Sequence, residues 1–184
     1  MTILGTRDPE HPVKQRLGPG GQMIGAYVNG ILRIVHLDFA VGGRKGLRSK
    51  TTVGPIIGRF RTTVLFNRTN PATPGTMTAP IPWQTENTEL EFYDRGGKTI
   101  GTLVTNVIEG RAFVTPLQGA PMPAFRLGGF GPLVSGTGQF SGVQGMMSVN
   151  YLISVVPATL SNLYMFRFYD PDGKFREMTC NSWS

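Results

Sequence analysis

The sequence predicts an all-β protein built as a closed antiparallel up-and-down barrel, and three observations support this. The 25 glycines and 14 prolines are frequent but not periodic, which suits a chain with many turns and bulges. Apolar and polar residues alternate along several short segments, as in strands with one buried face. No segment keeps a helical apolar period. The pattern gives about seven to nine strands, and closing them into a barrel leaves no exposed edge.

Length and composition bound the domain organisation. The 184 residues, 40% of them hydrophobic and 16% charged, suffice for one domain with a sizeable core. Residues 1–30 are rich in glycine, proline and charge, so we predict an irregular N-terminal arm followed by a single barrel domain over residues 31–184. No stretch approaches the ~20 apolar residues that span a bilayer, so no membrane partner is expected.

The cellular compartment stays open. The N-terminal residues lack an apolar signal region, which predicts a cytoplasmic protein if the chain is complete. If a presequence was removed, the protein is secretory, and Asn67-Arg68-Thr69 becomes a potential glycosylation site.

The strands of the barrel domain are predicted from alternation and turn signals. They cover residues 31–41, 54–66, 88–94, 99–110, 111–117, 145–156 and 162–170. A long Pro/Gly-rich loop is predicted over residues 67–87. It is either a lid over an opening, anchored by Ile81 and Trp83, or a mobile insertion.

The net charge of +7 raises the question of a nucleic-acid partner. The one dense basic cluster is formed by Arg44, Lys45, Arg48 and Lys50, between two predicted strands. It contains no aromatic residue to stack on a base, so a solvated hairpin loop is the favoured interpretation and no nucleic-acid partner is predicted. The single cysteine, Cys180, and the two histidines argue against a metal site.

The stretch LVSGTGQFSGVQGMMSVNY, residues 133–151, has the glycine content of a phosphate loop. A dinucleotide fingerprint needs a helix after its glycines, and a P-loop needs Lys-Ser/Thr. A strand-like apolar run follows instead. The stretch is therefore predicted as a strand, a tight turn through Ser141-Gly142 and a second strand.

This stretch resembles the glycine-rich core of the allene oxide cyclase barrel superfamily. The dirigent proteins share a similar pattern, carried here by Gly136, Gly138, Phe140 and Gly145. Gly142 and the aromatic strand 164–169 bring the likeness closer to the cyclase branch, over residues 133–173.

The resemblance implies an eight-stranded, calycin-like barrel with an apolar cavity, assembled as a homotrimer. It also implies cofactor-free control of a cyclisation of a small hydrophobic substrate, as in barrels of microbial natural-product pathways that act as cyclases or [4+2] cycloaddition catalysts. The N-terminal catalytic motifs of the plant enzymes have no match in this sequence, so no catalytic residue is carried over.

Candidate residues of a cavity wall come from alternation along the predicted strands, and the alternative for each is an ordinary core position. The predicted substrate-binding residues are Phe60, Val64, Phe66, Leu90, Phe92, Val104, Tyr164, Phe166 and Phe168, with Trp83 in the lid.

Four polar residues are candidates for catalysis. His36 and Asp38 share one face of a strand and form a possible acid/base pair, or else a pair on the barrel exterior. Asn106 lies among apolar neighbours, which favours a hydrogen bond inside the cavity. Tyr151 would donate to a ligand carbonyl, or would pack at a subunit contact.

The leading hypothesis is a cofactor-independent cyclase or pericyclase that acts on a hydrophobic reactive intermediate by holding a reactive conformer. The alternative is a lipocalin-like carrier that binds a small hydrophobic ligand without changing it. A basic nucleic-acid-binding module ranks third.

Overall fold

In the computed structural model, the described residues are 2–8, 10–11, 14–21, 23–42, 46–66, 81–108, 112–116, 124–154 and 159–169. At some strand positions, residues 36–42, 46–51 and 81–85 among them, only the backbone is described. No helix in this part of the chain is long and apolar enough to cross a membrane.

The described chain is almost entirely β-strand. Its strands are β1 (Thr2–Arg7), β2 (Lys14–Leu17), β3 (Met23–Gly42), β4 (Gly46–Phe66), β5 (Ile81–Tyr93), β6 (Thr99–Ile108), β7 (Ala112–Pro116), β8 (Ala124–Gly136), β9 (Gln144–Ser154) and β10 (Thr159–Tyr169).

The strands close into an eight-stranded antiparallel barrel, which confirms the predicted fold class. The order around the ring is β1-β10-β9-β8-β6-β5-β4-β3, and β3 pairs with β1 to complete it. Strand β7 pairs with β5 and β8, the neighbours of β6, and so continues the β6 position. Strand β2 lies outside the ring, on β3.

The prediction that residues 1–30 form an irregular arm is wrong, because this range contains strands. Strand β1 closes the barrel: Ile3 stands opposite Tyr164 of β10 and Ile34 of β3. Strand β2 and the first residues of β3 also fall in this range. The apolar alternation of β1 is too short to predict a strand by itself. Its pairing with β10 and β3, which are distant in the sequence, stabilises it as a strand.

The predicted loop over residues 67–87 is wrong in its second part. Strand β5 begins at Ile81, and Trp83 stands opposite Phe66 of β4, so its backbone belongs to the barrel wall rather than to a lid. Residues 67–80 lie outside the described chain. The four prolines and one glycine of residues 67–87 suggested a break, yet β5 continues through Pro82.

The strand–turn–strand prediction for residues 133–151 is confirmed. Strand β8 ends at Gly136, a 3-10 turn covers Gly138–Phe140, and β9 follows. Gly138 and Gly142 have φ angles of 58° and 76°, in the region that favours glycine. A Cβ atom on Gly138 would also lie 2.3 Å from the Ile100 carbonyl oxygen.

Strands β3 and β4 extend beyond the ring as a two-stranded ribbon. Among the described residues, β3 pairs with β1 only up to Ile34, whereas its pairing with β4 continues to Gly42 opposite Gly46. Arg48 and Lys50 therefore lie in a strand rather than in the predicted hairpin loop. Residues 43–45 lie outside the described chain.

The core fills the inside of the ring in rows that cross the strands. Phe60, Leu90 and Leu103 stand opposite one another on β4, β5 and β6, and none is more than 1% exposed. The 3-10 turn adds Phe140, whose ring centroid lies 4.9 Å from that of Phe92. This contact closes one end of the barrel.

Candidate functional site

Strand β5 places a carboxyl group inside the barrel. Because β5 pairs with β4 and β6, every second side chain points inward. The buried positions follow this alternation, and they are Glu86, Thr88, Leu90 and Phe92. The Glu86 side chain is 0% exposed.

One carboxyl oxygen of Glu86 accepts two hydrogen bonds. The Tyr151 hydroxyl of β9 donates to Oε1 across the interior. The Thr88 hydroxyl donates to the same oxygen at 3.1 Å. Because Thr88 uses its proton there, the Thr62 hydroxyl, 2.9 Å from Thr88 Oγ1, is the donor to Thr88.

The other carboxyl oxygen, Oε2, is buried and has no hydrogen-bond partner among the described residues. Since both donors bind Oε1, the proton of the neutral carboxyl group belongs on Oε2. The neutral Glu86 side chain is therefore oriented to donate a hydrogen bond through Oε2.

Two more buried polar atoms near this carboxyl lack a partner within the described chain, Thr105 Oγ1 and Asn162 Oδ1. Thr105 stands opposite Thr88 in the sheet, and Asn162 stands opposite Tyr151. Each thus neighbours a residue that bonds to Glu86. Buried polar atoms are rarely left unpaired, so this part of the interior has unused capacity to bind polar groups.

Aromatic rings border the carboxyl group on the β9–β10 side. The Tyr164 ring meets Tyr151 edge to face, with centroids 6.3 Å apart, and meets Phe60 at 5.7 Å. The Asn162 amide donates to the Tyr164 hydroxyl at 3.1 Å, which fixes that ring. The polar cluster is thus enclosed by an apolar wall.

Burial raises the pKa of Glu86 to about 7, because an ionised carboxylate loses its hydration inside the barrel. The hydrogen bonds from Tyr151 and Thr88 act in the opposite direction and offset only part of this effect. The pKa of Tyr151 is raised too, by burial first and by the Glu86 charge second, so its hydroxyl stays a neutral donor.

Most residues predicted to line a cavity have side chains inside the ring, which both alternatives, cavity wall and ordinary core, expect. Those with buried side chains are Phe60, Val64, Leu90, Phe92, Tyr164 and Phe166. Phe168 is partly buried against the same cluster. The side chains of Phe66 and Trp83 are outside the described set.

The prediction of which face of β6 points into the barrel is wrong. Val104 and Asn106 were predicted to point inward, but the buried residues of this strand are Leu103, Thr105 and Val107. Both faces of β6 carry apolar residues, so alternation alone does not choose between them. The choice is made by pairing, because Leu103 stands opposite the buried Leu90.

Of the two predicted catalytic residues whose side chains are described, Tyr151 reaches the polar cluster and Asn106 does not. Asn106 belongs to the outward face of β6. His36 and Asp38 lie in the ribbon, opposite Thr52 and Lys50, beyond the part of β3 that pairs with β1. Their side chains are outside the described set, so their pairing stays a prediction.

Glu86 was missed because residues 67–87 were predicted to be a loop. A signal was present in the sequence: the alternation of Leu90 and Phe92 continues backward through Thr88 to Glu86. Extending the strand by two steps places a carboxyl group on the inward face.

In the described part of the chain, the ligand atoms of one group of acidic and histidine residues, Asp8, Glu10 and His11, lie within 4.8 Å of one another. Asp8 Oδ2 is already paired with His11 Nδ1 at 2.9 Å, and Glu10 and His11 are exposed. We assign this group to the structure of the turn after β1.

Comparison with protein-family models, with curated proteins and with solved structures finds no match to this chain. The fold and the site define the class of protein: an eight-stranded antiparallel barrel with a buried carboxyl–tyrosine pair. The likeness to allene oxide cyclase-type barrels stays a prediction.

Proposed function

We propose that the protein is a cofactor-independent cyclase or pericyclase. It would control the stereochemistry of ring formation, of [4+2] or hetero-Diels–Alder type, from a hydrophobic reactive intermediate of polyketide or terpenoid biosynthesis. The observation that carries this proposal is the Glu86 carboxyl group, held inside an apolar barrel with one unpaired oxygen and a pKa of about 7.

In this proposal Glu86 is the catalytic acid. Its Oε2–H donates a hydrogen bond to a carbonyl oxygen conjugated with the reacting double bonds, which stabilises the negative charge that develops there. The substrate's own electrons form the new ring, and the proton stays on Glu86. Tyr151 is a positioning residue, because it binds Oε1 and leaves Oε2 toward the substrate.

The barrel wall supplies the second contribution to rate. A flexible intermediate held in one folded conformer loses the entropic part of its barrier before it reacts. In this proposal the substrate approaches from the end of the barrel opposite the contact between Phe140 and Phe92. It lies against Oε2 of Glu86, while Tyr151 keeps its hydrogen bond to Oε1.

The test is a metabolite comparison in the protein's own organism, with the wild-type chain replaced by the Glu86→Met variant. Cyclisation leaves the mass unchanged, so the precursor and the product are isomers that separate by chromatography. We expect Glu86→Met, which has a similar volume and no hydrogen-bond donor, to lower the ratio of cyclised to open isomer by about a hundredfold, the typical effect of losing one well-placed donor. The matched control is Asn87→Met, at the exposed neighbour of Glu86 on the same strand.

Equal isomer ratios in the wild type and in Glu86→Met would contradict a catalytic role for this carboxyl group. If, in addition, native mass spectrometry of the wild type retains one unchanged apolar molecule, the alternative function of a non-catalytic carrier takes its place. The same measurement counts the subunits and so tests the predicted homotrimer.

A further inference from the structure

A concave site lies on the outside of the barrel and does not include Glu86. A cleft of about 470 Å³ separates the outer face of β4, β5 and β6 from the turn that follows β1. The Asp8 N–H donates to the Asn29 carbonyl at 3.1 Å and so ties the turn to β3, and the His11 N–H donates to the Asp8 carbonyl at 3.2 Å within the turn. The cleft is therefore a built feature of the fold.

Two exposed arginines line this cleft side by side. Arg59 and Arg61 are two residues apart on β4 and stand opposite Glu91 and Glu89 of β5. Opposite charges in such positions usually pair. In the described part of the chain, neither guanidinium group has a hydrogen bond or an ion pair.

The nearby carboxylates are held by other donors. Glu91 accepts hydrogen bonds from the Tyr93 and Thr99 hydroxyls, each at 2.9 Å. Asp8 accepts the Glu10 N–H at 3.0 Å and is paired with His11. Each arginine therefore keeps its full set of five N–H donors, in the planar arrangement that matches a carboxylate.

Glu89 is the third acidic residue of the cleft, and it differs from the other two. It is exposed, and among the described residues it has no hydrogen bond or ion pair. The cleft thus presents two unpaired cations and, directly opposite Arg61, one unpaired anion. A simple anion would be attracted by the arginines but repelled by Glu89.

We propose that this cleft binds a small zwitterion of the α-amino acid type. Its carboxylate lies between Arg59 and Arg61, and its ammonium group lies at Glu89. This arrangement pairs every unpaired charge of the cleft, whereas a carboxylate without an amino group satisfies only the arginines. The site is separate from the interior and does not depend on the function proposed for Glu86.

The experiment is an NMR titration of the full-length, ¹⁵N-labelled protein with glycine, with sodium acetate and with sodium chloride at matched ionic strength. We expect glycine to shift the backbone resonances of residues 59–61 and 89–91 at lower concentration than acetate does, with no such shift from chloride. Arg61→Gln is expected to weaken glycine binding about tenfold or more, the loss that goes with one charged contact.

Two variants make the test specific. Glu89→Gln is expected to remove the preference for glycine over acetate and to leave acetate binding in place. The control is Arg167→Gln, an exposed arginine on β10, which is expected to bind glycine as the wild type does. The proposal is overturned if chloride reproduces the glycine shifts, if Arg61→Gln binds glycine normally, or if Glu89→Gln keeps the preference.

Discussion

The Tyr151 hydroxyl donates a hydrogen bond to Glu86 Oε1 across the interior of the barrel. The two residues are 65 positions apart in the sequence and lie on strands that are not neighbours in the ring. The bond therefore joins two walls of the barrel rather than two adjacent strands. It is the central contact of the polar cluster, and four predictions test that cluster and the packing around it.

The first prediction concerns the pH dependence of stability. The pKa of Glu86 is about 7 in the folded chain, against an ordinary value of 4.5 for a glutamate side chain. Between these values the folded chain binds more protons than the unfolded chain, so the free energy of unfolding falls as pH rises, by about 3 kcal/mol in total. This loss is complete above about pH 7. The Glu86→Gln variant has no carboxyl group at this position to ionise, so its free energy of unfolding is expected to lack this loss.

Urea unfolding of the wild type and of Glu86→Gln at about pH 5 and about pH 8 measures this difference. The two proteins are expected to be similar in stability at the lower pH and to diverge at the higher one. Glu89→Gln, exposed on the same strand, is expected to keep the wild-type slope. Parallel curves for the wild type and Glu86→Gln would contradict the raised pKa.

The second prediction concerns the hydrogen bond itself. Tyr151→Phe removes a donor that lowers the pKa of Glu86, so that pKa is expected to rise above about 7. The free energy of unfolding is expected to fall by roughly 1–3 kcal/mol, since a buried acceptor loses a partner. A titration followed by NMR of ¹³C-labelled glutamate carboxyl groups measures the pKa.

Tyr93→Phe is the matched control for this titration. The Tyr93 hydroxyl also donates to a glutamate, Glu91, but on the outer face of the same strand as Glu86. The Glu86 pKa is expected to stay in place in this variant. A Glu86 pKa that is unchanged or lower in Tyr151→Phe means that the two side chains are not bonded in solution.

The third prediction concerns the closed end of the barrel. Phe140 is 2% exposed and packs on Phe92, so Phe140→Ala is expected to lower the free energy of unfolding by about 3–5 kcal/mol. Phe130→Ala, at a position that is 46% exposed, is expected to cost under about 1 kcal/mol. Equal losses in urea unfolding for the two variants would show that Phe140 does not close the barrel.

The fourth prediction concerns the contact between β8 and β6. A Cβ atom on Gly131 would lie 2.1 Å from the Asn106 carbonyl oxygen, whereas one on Gly128 would have its nearest contact at 3.7 Å. Gly131→Ala is therefore expected to cost roughly 1–3 kcal/mol, because backbone must shift. Gly128→Ala is expected to stay within about 0.5 kcal/mol of the wild type in thermal unfolding. If Gly131→Ala leaves the free energy of unfolding unchanged, β8 and β6 lie further apart at this position than the structure indicates.

Much of the architecture was predictable because alternation is local information. The strand–turn–strand unit of residues 133–151 and the inward faces of β4 and β10 follow from residue types alone. Tyr151 was identified as a candidate in the same way. Glu86 was not, because prolines near Trp83 suggested a loop, and the pairing of β5 with β4 outweighs that local signal.

The sequence by itself determined the fold class, since a glycine-rich chain with repeated two-residue alternation and no helical period has one economical way to bury its apolar faces. Tertiary structure alone decided three things: that β1 closes the ring, that Leu103 rather than Val104 faces inward, and that Glu86 meets Tyr151. Each depends on a partner far away in the sequence. A strand can bury either of its two faces and can pair at either of its two edges. The neighbouring strands decide which face is buried and which edges are paired.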